Sequence, residues 1–399
     1  MIDIFFLGLL AVGYEKYGNE IELVKDPIRH LYDVYVKINE DAKTNDTVDL
    51  QANHYFKRME EAQWNKLRDM SIRSYKEVYK RLDVEFDVYS GESEVGSHIP
   101  KVYELLQKNG LLKETEDKAY VVDLEEYGLG QVPVKRADGT SLYMTRDLAS
   151  ILMRQELYPF KKAIYVVGND QEIYFKQVFQ IAKMMLPETD IELQHVGFGL
   201  IKGMSTRRGT VVFLDDLLNE AQRLNIDYMK NSENSQAEDI DQVADILGIS
   251  AIMIQDMKTK RGLGYDFSWD RMVSREGYTG VRVQYAHVKA CGIERKADIP
   301  ITSDCDFSIL KEPAAANLVR AISQFPDVVE KSFATLEPSA ITSYLFELMT
   351  ATNGAYKQLQ VVRQSPEVAK ARMLLFWSAR TTLKNGLYLL GINRVLEKM

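Results

Sequence analysis

The sequence predicts an α/β protein in which a domain built on a parallel sheet is followed by an all-α domain. Two observations lead to this prediction. Strand patterns and helix patterns alternate between residues 161 and 200, which is typical of a parallel sheet. From about residue 211 onward the apolar pattern is almost purely helical. The 399 residues are enough for two or three domains, and we expect the domain boundary near residue 207.

The N-terminal region, residues 21–85, is predicted to be mainly helical. Asp26 is a possible N-cap of one helix, and Pro27 then occupies its first position. The apolar side chains of this helix recur at helical spacing, at Leu31, Val34, Tyr35 and Ile38.

Four segments have strand patterns. Residues 84–88 alternate through Val84, Phe86 and Val88 before the break at Ser90-Gly91. Residues 118–136 predict small strands around a Gly-rich turn. "KKAIYVVGND" (161–170) and "IELQHVGFGL" (191–200) are predicted buried strands. Ligands of parallel sheets bind at the carboxyl ends of the strands, so the loops after Val88, Val167 and Leu200 are the candidate site.

Helices are predicted between and after these strands. "ADGTSLYMTRDLASILMRQ" (137–155) is a turn and a helix with Thr140 or Ser141 as its N-cap. Residues 171–186 form an amphipathic helix. Farther along, residues 243–258 and 369–391 have clear helical stripes, and Gly391 is a suitable C-cap. One face of the last helix is lined by Leu375, Ala379, Thr382, Gly386 and Leu389.

The composition is that of an ordinary globular protein, 46% hydrophobic and 27% charged. No apolar run is long enough to span a membrane, and the apolar opening stretch lacks the basic region and cleavage site of a signal peptide. Two cysteines, Cys291 and Cys305, argue against a disulfide framework and a cysteine-built zinc site. Five scattered histidines offer no close-spaced metal pair. We expect a reducing compartment, either the cytosol or an organelle matrix.

The net charge of −8 speaks against a generic nucleic-acid binder, but the charge is uneven. Residues 266–399 contain 17 basic and 14 acidic residues, a net of +3. Residues 351–399 contain 8 basic and 2 acidic residues, a net of +6. A basic C-terminal region on an acidic protein fits a local polyanion-binding surface. The alternative is an ordinary solvated helical face.

Two acids and a tyrosine are candidates for one pocket. Tyr143 and Asp147 are four residues apart on a predicted helix and therefore share a face. Glu92 lies in the loop after the segment that contains Val88. If these elements converge, two carboxylates and an aromatic ring suit a planar cation such as a guanidinium. The alternative is that both acids are ordinary surface residues.

Two further features could contact a ligand. Gln171 opens a helix just past a strand end, where its amide could bond a carboxylate or an amine, or could simply cap the helix. Lys202 precedes Met204, Ser205, Thr206, Arg207 and Arg208. A loop with hydroxyls and cations can close over a polyphosphate and stabilise charge that develops during nucleotidyl transfer. The alternative is an exposed basic loop.

Several long segments, in the right order, resemble eukaryotic-type arginyl-tRNA synthetases of class I. The similarity covers nearly the whole chain from about Gly8. The loop "GMSTRRGT" resembles the second signature of class I synthetases in the variant form of this family. The other similar segments are "DVYSGES", "SLYMTRDLA", "GISAIMIQDMK", "QYAH", "LKEPAAANLVRAISQFPDVV" and the C-terminal "VLEKM".

The resemblance implies a fold and a set of partners. Residues 1–207 would be an incomplete Rossmann-like parallel-sheet catalytic domain with insertions at about 12–70 and 96–141. Residues 208–399 would be an all-α anticodon-binding domain. The activity implied is ATP-dependent attachment of L-arginine to tRNA-Arg through arginyl-adenylate. ATP with Mg²⁺ would be a substrate, and neither a tightly bound metal nor a membrane is expected.

The resemblance also implies roles for individual residues. Glu92 and Asp147 would bind the guanidinium of arginine against Tyr143, and Gln171 would lie near the backbone end of the amino acid. Met204 to Arg208 would form the mobile loop over the ATP phosphates. The residues implied in tRNA binding are Arg282, Tyr285, Lys289, Tyr356 and Met399.

The chain departs from the family pattern in three places. It has no His-Ile-Gly-His signature, and "SHIP" at 97–100 is in the wrong place and lacks the glycine. The expectation is that the chain begins after the first βα unit and that its catalysis is impaired. Arg282 stands where the family has the tyrosine of Gly-Pro-Tyr, and Gln360 stands where it has a tryptophan. Anticodon selectivity is therefore expected to differ in detail, although arginine can still stack on bases.

Three functions remain open on the sequence alone. The chain could be an arginine–tRNA ligase. It could be an inactive paralogue that keeps tRNA binding, or a structural subunit of a ribonucleoprotein assembly. A missing βα unit would also leave a sheet edge and an apolar face uncovered, so a partner chain over the sheet is a further expectation.

Overall fold

The computed structural model describes residues 4–45, 47–48, 50–52, 61–202, 212–231, 238–272, 274 and 277–399. The helices with stated bounds are α1 Ile4–Tyr17, α2 Glu20–Lys25, α3 Pro27–Ala42, α4 Glu61–Arg81, α5 Ile99–Lys108, α6 Tyr143–Leu157, α7 Glu172–Met185, α8 Leu214–Lys230, α9 Ile240–Met257, α10 Trp269–Met272, α11 Gly280–Ala297, α12 Pro313–Ser323, α13 Phe325–Thr335, α14 Ser339–Gln358 and α15 Pro366–Leu389. The strands are β1 Leu112–Glu114, β2 Tyr120–Asp123, β3 Gln131–Lys135, β4 Lys162–Gly168, β5 Glu192–Phe198, β6 Ile201–Lys202 and β7 Tyr265–Asp266.

The predicted strand–helix–strand unit is confirmed. β4 and β5 pair in parallel from Lys162↔Glu192 to Gly168↔Phe198, and α7 connects them. Helices α6 and α7 share one apolar core, in which Leu148, Ile151, Val178 and Ile181 are fully buried. The prediction that β4 is buried is wrong, because its other face is open, with Ile164 and Val166 44% and 64% exposed.

The predicted strands in residues 118–136 are also confirmed. β1, β2 and β3 form an antiparallel sheet, with Val122 opposite Leu112 on one side and Val132 on the other. The turn between β2 and β3 contains Gly128 and Gly130, both with φ near +68° (67° and 69°), a conformation that glycine adopts at no steric cost.

The predicted N-cap of α6 is wrong. Leu142 occupies the cap position and makes no side-chain capping bond. Thr140 is engaged in the preceding turn, where its N–H and its hydroxyl both donate to Oδ1 of Asp138. Ser141 forms an isolated antiparallel bridge with Lys135. Both hydroxyl residues therefore close a hairpin instead of capping the helix.

The predicted cap of α3 is confirmed. Oδ1 of Asp26 accepts the Arg29 N–H (3.1 Å), and Pro27 is the first helical residue. Leu31, Val34 and Ile38 are buried, whereas Tyr35 is half-buried.

The predicted strand at residues 84–88 is wrong, because the segment is irregular, with a bend at Asp87, and pairs with no described strand. Phe86 packs edge-on against Tyr79 of α4 (ring centroids 5.1 Å) and against Tyr89 (5.8 Å). Phe86 in this alternating pattern therefore packs against a helix. An alternating apolar pattern alone does not distinguish such a segment from a strand.

The C-terminal region is helical as predicted, apart from β7, which pairs in parallel with β6. In α15, Leu375, Ala379, Thr382 and Gly386 are buried as expected, while Leu389 is 52% exposed. Gly391 follows the helix with φ +78° and donates to the Tyr388 carbonyl (2.9 Å), which confirms its role in ending the helix. The described helices include none that is both long and apolar enough to cross a bilayer. The predicted boundary near residue 207 and the two predicted insertions stay predictions.

Candidate functional site

Asp147 on α6 faces Tyr174 on the first turn of α7. The Tyr174 hydroxyl donates to Oδ2 of Asp147 at 2.5 Å, and both side chains are partly buried. Sequence reasoning selected Asp147 but missed Tyr174. A signal was available, since Tyr174 is a polar aromatic residue three positions after Gln171 on the helix that follows the β4 carboxyl end.

Glu92 and Tyr143 lie near the same tyrosine. Burial raises the pKa of Tyr174 most, and the charges of Asp147, Glu92 and Tyr143 raise it further. Arg146 Nη1 donates to the Glu92 carbonyl oxygen at 3.4 Å, which holds residue 92 against α6. Asp147 thus contacts Tyr174 directly and Glu92 and Tyr143 act on its pKa through their charges, while the role of these residues in binding stays a prediction.

The carboxyl group of Asp147 is in an environment that disfavours its charge. Burial raises its pKa, and this effect outweighs the opposing effects of the Tyr174 hydrogen bond and the positive charge of Arg154. A buried carboxylate of this kind is stabilised by any cation that pairs with it. The site is therefore suited to a positively charged ligand group.

Gln171 lies at the end of the short 3₁₀ turn Asn169–Gln171 that leads into α7. Its side-chain amide donates to Oδ2 of Asp170 at 3.2 Å, so the amide is engaged by its sequence neighbour in this structure. Its predicted contact with the backbone end of arginine stays a prediction.

Residues 260–264 lie over the carboxyl ends of β4 and β5. Asn169 Nδ2 donates to the Gly262 carbonyl (2.7 Å), and Gly199 N–H donates to the Arg261 carbonyl (2.8 Å). The Arg261 guanidinium donates to the carbonyl oxygens of Gly197 and Leu336. A Cβ at position 199 would overlap the backbone of residues 263 and 264, so only glycine allows this approach. Sequence reasoning did not identify this segment.

The predicted phosphate loop begins directly after β6. The pairing of Ile201 with Tyr265 and of Lys202 with Asp266 fixes the point at which the chain enters it. Met204, Ser205, Thr206, Arg207 and Arg208 lie outside the described residues.

Three of the predicted tRNA-binding side chains form one cluster on α11 and α14. Lys289 Nζ lies 4.5 Å from the ring centroid of Tyr285 and 5.3 Å from that of Tyr356. It also donates to Asn353 Oδ1 at 3.1 Å. Burial lowers the pKa of Lys289, and the nearby charges of Arg282 and Lys357 lower it further. The cluster presents two partly exposed aromatic rings together with several cations.

The C-terminal segment packs against α11, and Met399 contacts the apolar cluster that includes Val281. Gln284 Oε1 accepts the Leu396 N–H (2.9 Å), and the imidazole Nδ1 of His287 lies 2.8 Å from the Leu396 carbonyl oxygen. Gln284 and His287 are fully buried. Gln284 and His287 of the "QYAH" segment therefore hold the C-terminal segment against α11, a structural role that the sequence did not reveal.

Two family models match the chain. Residues 5–269 match the model described as tRNA synthetases class I (R), catalytic domain. Residues 283–399 match the model described as DALR anticodon binding domain.

Curated relatives and solved structures agree with these matches. The chain is 45% identical over 414 residues to a cytoplasmic arginine–tRNA ligase of Saccharomyces cerevisiae, a match that covers 98% of this chain and 68% of the relative. A mitochondrial arginine–tRNA ligase of the same yeast is 40% identical over 96% of this chain and 63% of its own length. The arginyl-tRNA synthetase of Plasmodium falciparum has a similar structure, with a TM-score of 0.76, 25% identity, and coverage of 99% of this chain and 68% of that one. The Thermus thermophilus arginyl-tRNA synthetase has a TM-score of 0.82 at 21% identity, with coverage of 98% and 74%, and supports the fold. Together with the family models, these relatives show that the chain belongs to the class I arginyl-tRNA synthetases, the arginine–tRNA ligases.

Proposed function

We propose that this chain binds L-arginine through Asp147, Glu92 and Tyr143, activates it with ATP, and transfers it to tRNA-Arg. The observation that supports the proposal most strongly is the buried Asp147 carboxylate, which has a raised pKa and a hydrogen bond from Tyr174. An acid held in this way, with a second acid and a second tyrosine nearby, suits a cationic side chain.

The pocket favours a guanidinium over an ammonium. A guanidinium is planar and offers five N–H donors in a fixed fork, so it can bond two carboxylate oxygens and pack flat on a ring. Tyr174 occupies one lone pair of Asp147 Oδ2, which orients the carboxylate and leaves further lone pairs for the ligand. Glu92 supplies the second anionic group, and the Tyr143 ring supplies the flat surface.

The chemistry proposed has two steps. A carboxylate oxygen of arginine attacks the α-phosphorus of ATP, which forms the acyl–phosphate bond and releases pyrophosphate with its Mg²⁺. A terminal ribose hydroxyl of the tRNA then attacks the activated carbonyl, which forms the ester and releases AMP. Lys202 and the loop from Met204 to Arg208 would stabilise the charge that develops on the phosphates. Because the sequence contains no His-Ile-Gly-His signature, we propose that the 399 residues alone react slowly, by a factor on the order of 10²–10³ for each donor lost.

The tRNA would bind at the cluster of Tyr285, Lys289 and Tyr356. Aromatic faces stack on unpaired bases, and cations beside them attract phosphates. Arg282 adds a positive charge near Lys289, and Met399 would contribute a further contact from the chain end. The predicted partner chain over the sheet would lie on the open face of β4.

The test is arginine-dependent ATP–pyrophosphate exchange by the full chain with added tRNA, run beside a tRNA gel shift. Exchange that requires arginine supports the ligase. Binding of tRNA without exchange would favour the inactive paralogue, and Arg282 in place of the family's tyrosine is the feature that agrees with that second reading. A chain that neither exchanges nor binds tRNA would overturn both. An Asp147→Asn variant controls for contaminating synthetase activity.

A further inference from the structure

Two arginines from distant parts of the chain share one carboxylate on α9. Asp245 Oδ1 accepts hydrogen bonds from Arg81 Nη2 (2.8 Å) and Nε (3.0 Å). Asp245 Oδ2 accepts one from Arg394 Nη2 (3.1 Å). The Asp245 side chain is only 15% exposed. This triad joins the last residue of α4, the middle of the chain and the C-terminal segment.

Arg81 is held at both its side chain and its backbone. Its guanidinium also donates to Asn219 Oδ1 (2.6 Å) and Gln222 Oε1 (3.3 Å) on α8. Its carbonyl oxygen accepts a second hydrogen bond from Arg394 Nη2 (2.7 Å). The C-terminal end of α4 is therefore fixed to α8, to α9 and to the chain end.

The segment between Arg81 and Glu92 packs against α4. The Val84 N–H donates to the Tyr79 carbonyl (2.9 Å). Phe86 packs on Tyr79, and Lys76 Nζ lies 4.7 Å from the ring centroid of Tyr89. Residues 84–89, which shortly precede Glu92 in the sequence, thus lie along the surface of α4. A displacement of α4 would therefore strain the position of Glu92, which Arg146 also holds against α6.

Arg394 is equally tied to the end of the chain. Its carbonyl oxygen accepts a hydrogen bond from Gln284 Nε2 (3.1 Å), and the same Gln284 side chain accepts the Leu396 N–H. Met399 then packs against the apolar cluster that includes Val281, the residue before Arg282 in the sequence. The position of Arg394 therefore helps to set that of the surface proposed to contact tRNA.

We propose that Asp245 is a positioning residue that couples the arginine pocket to the tRNA-binding chain end, through Arg81 on one side and Arg394 on the other. This inference rests on the proposed function, because it concerns the binding of arginine and tRNA at the sites named there. Neither arginine contacts the pocket acids in the proposed path, so Asp245 acts through other residues. Coupling of two binding sites is reciprocal, so substitution of either Arg81 or Arg394 should affect the binding of both L-arginine and tRNA.

The experiment measures both ligands on variants at the two ends of the triad. Arg394→Met removes the bonds to Asp245 and Arg81, and it should raise the arginine KM in pyrophosphate exchange by about 5- to 150-fold, with kcat changed less. Arg81→Met should weaken tRNA binding in a gel shift by a similar factor. Arg394→Lys keeps a positive charge and should restore most of the arginine affinity.

A matched control and a double variant make the test decisive. Arg223 on α8 also bridges two carboxylates, Glu220 and Asp227, but lies outside the triad, so Arg223→Met should leave both affinities unchanged. The effects of Arg81→Met and Arg394→Met should be non-additive, because both act through Asp245. Thermal unfolding of each variant separates lost stability from altered binding.

The outcomes distinguish the two proposals. If the wild-type chain neither binds arginine by calorimetry nor exchanges, the proposed function is overturned and the coupling with it. If the wild type binds arginine and the Arg394→Met variant lowers only the unfolding temperature, Asp245 is merely structural and the coupling is overturned. Additive effects in the double variant would overturn it as well.

Discussion

The Tyr174 hydroxyl and the Asp147 carboxylate form a hydrogen bond of 2.5 Å between α6 and α7. The two residues are 27 positions apart in the sequence. Asp147 lies on α6, which precedes β4, and Tyr174 lies on α7, which follows it. The bond orients the carboxylate before any ligand arrives. A preoriented acid lowers the entropy lost when a planar cation binds.

Asp147→Asn should weaken the binding of arginine strongly. The substitution keeps the size of the side chain but removes the charge, and a hydrogen bond to a charged group contributes about 1.5–3 kcal/mol. At about 1.4 kcal/mol for each tenfold change, a loss of roughly 10- to 150-fold in affinity is expected. Calorimetric titration of arginine measures it.

Asp123→Asn is the matched control for that substitution. Asp123 pairs with Lys113 on the antiparallel sheet (2.7 Å), an ion pair that involves none of Glu92, Tyr143 and Asp147. An equal loss of arginine affinity in both variants would contradict the assignment of Asp147.

Tyr174→Phe should move the pH dependence of arginine binding upward. The hydrogen bond from Tyr174 lowers the pKa of Asp147, which burial otherwise raises above its ordinary 3.8, so its removal raises that pKa further. Arginine pairs with the ionised acid, so affinity is present above the folded-state pKa and is lost as the pH falls through it. The acid limb of kcat/KM for arginine should therefore lie at higher pH in the variant.

The contribution of Asp147 to stability without a ligand has the opposite pH dependence. Because the folded-state pKa of Asp147 is raised, the folded state binds the proton more tightly than the unfolded chain. The contribution of this group to stability therefore decreases as the pH rises from about 4 through the folded-state pKa.

An acid limb of kcat/KM for arginine that stays in place or moves to lower pH in Tyr174→Phe would refute the role of the hydroxyl.

The regular elements of this fold were predictable because their signals are local. The helix that begins at Pro27 and the parallel strands β4 and β5 follow from caps and apolar spacing within 20 residues. Local patterns failed where a distant partner decided the outcome. Phe86 belongs to an alternating, strand-like pattern but packs on Tyr79, and Thr140 bonds Asp138 instead of capping α6.

The candidate site was predictable only in part, for the same reason. Asp147 and Tyr143 share a helix face, which spacing reveals. Tyr174 joins them through a contact between two helices, and its position three residues after Gln171 marks it only as a residue near the end of β4, not as a partner of Asp147. The triad of Arg81, Asp245 and Arg394 spans separations of 164 and 149 residues, so only the folded chain shows that one carboxylate serves both cations.

Tyr356→Leu should weaken tRNA binding without affecting arginine. Base stacking on an aromatic ring contributes about 1–3 kcal/mol, so a loss of roughly 5- to 150-fold in tRNA affinity is expected. A gel shift or filter binding at fixed salt measures it, and calorimetry with arginine should give the wild-type value.

Tyr388→Leu is the control for that ring. Tyr388 on α15 is exposed to nearly the same extent, 42% against 44% for Tyr356, and it also has a lysine near its ring, Lys384 at 5.5 Å. Equal losses in the two variants would mean that tRNA contacts are spread over the helical surface instead of centred on Tyr285, Lys289 and Tyr356.

Gly199→Ala should damage exchange activity by displacing residues 260–264 from the ends of the strands. The added methyl group would overlap the backbone of Leu263 and Gly264, so this backbone would have to shift away from Gly199, which is bonded through its N–H to the nearby Arg261 carbonyl. Overpacking of this kind costs about 1–3 kcal/mol of stability. The exchange rate should fall further than the loss of stability explains. The reason is that the phosphate loop follows β6, and β6 pairs with β7, which directly follows residues 260–264.

Gly292→Ala on α11 is the control, since the nearest atom to a Cβ added there is 3.9 Å away and alanine favours a helix. Thermal unfolding and exchange kinetics of both variants check the prediction, and a Gly199→Ala variant with unchanged exchange would show that this approach of segment and strand does not position the loop.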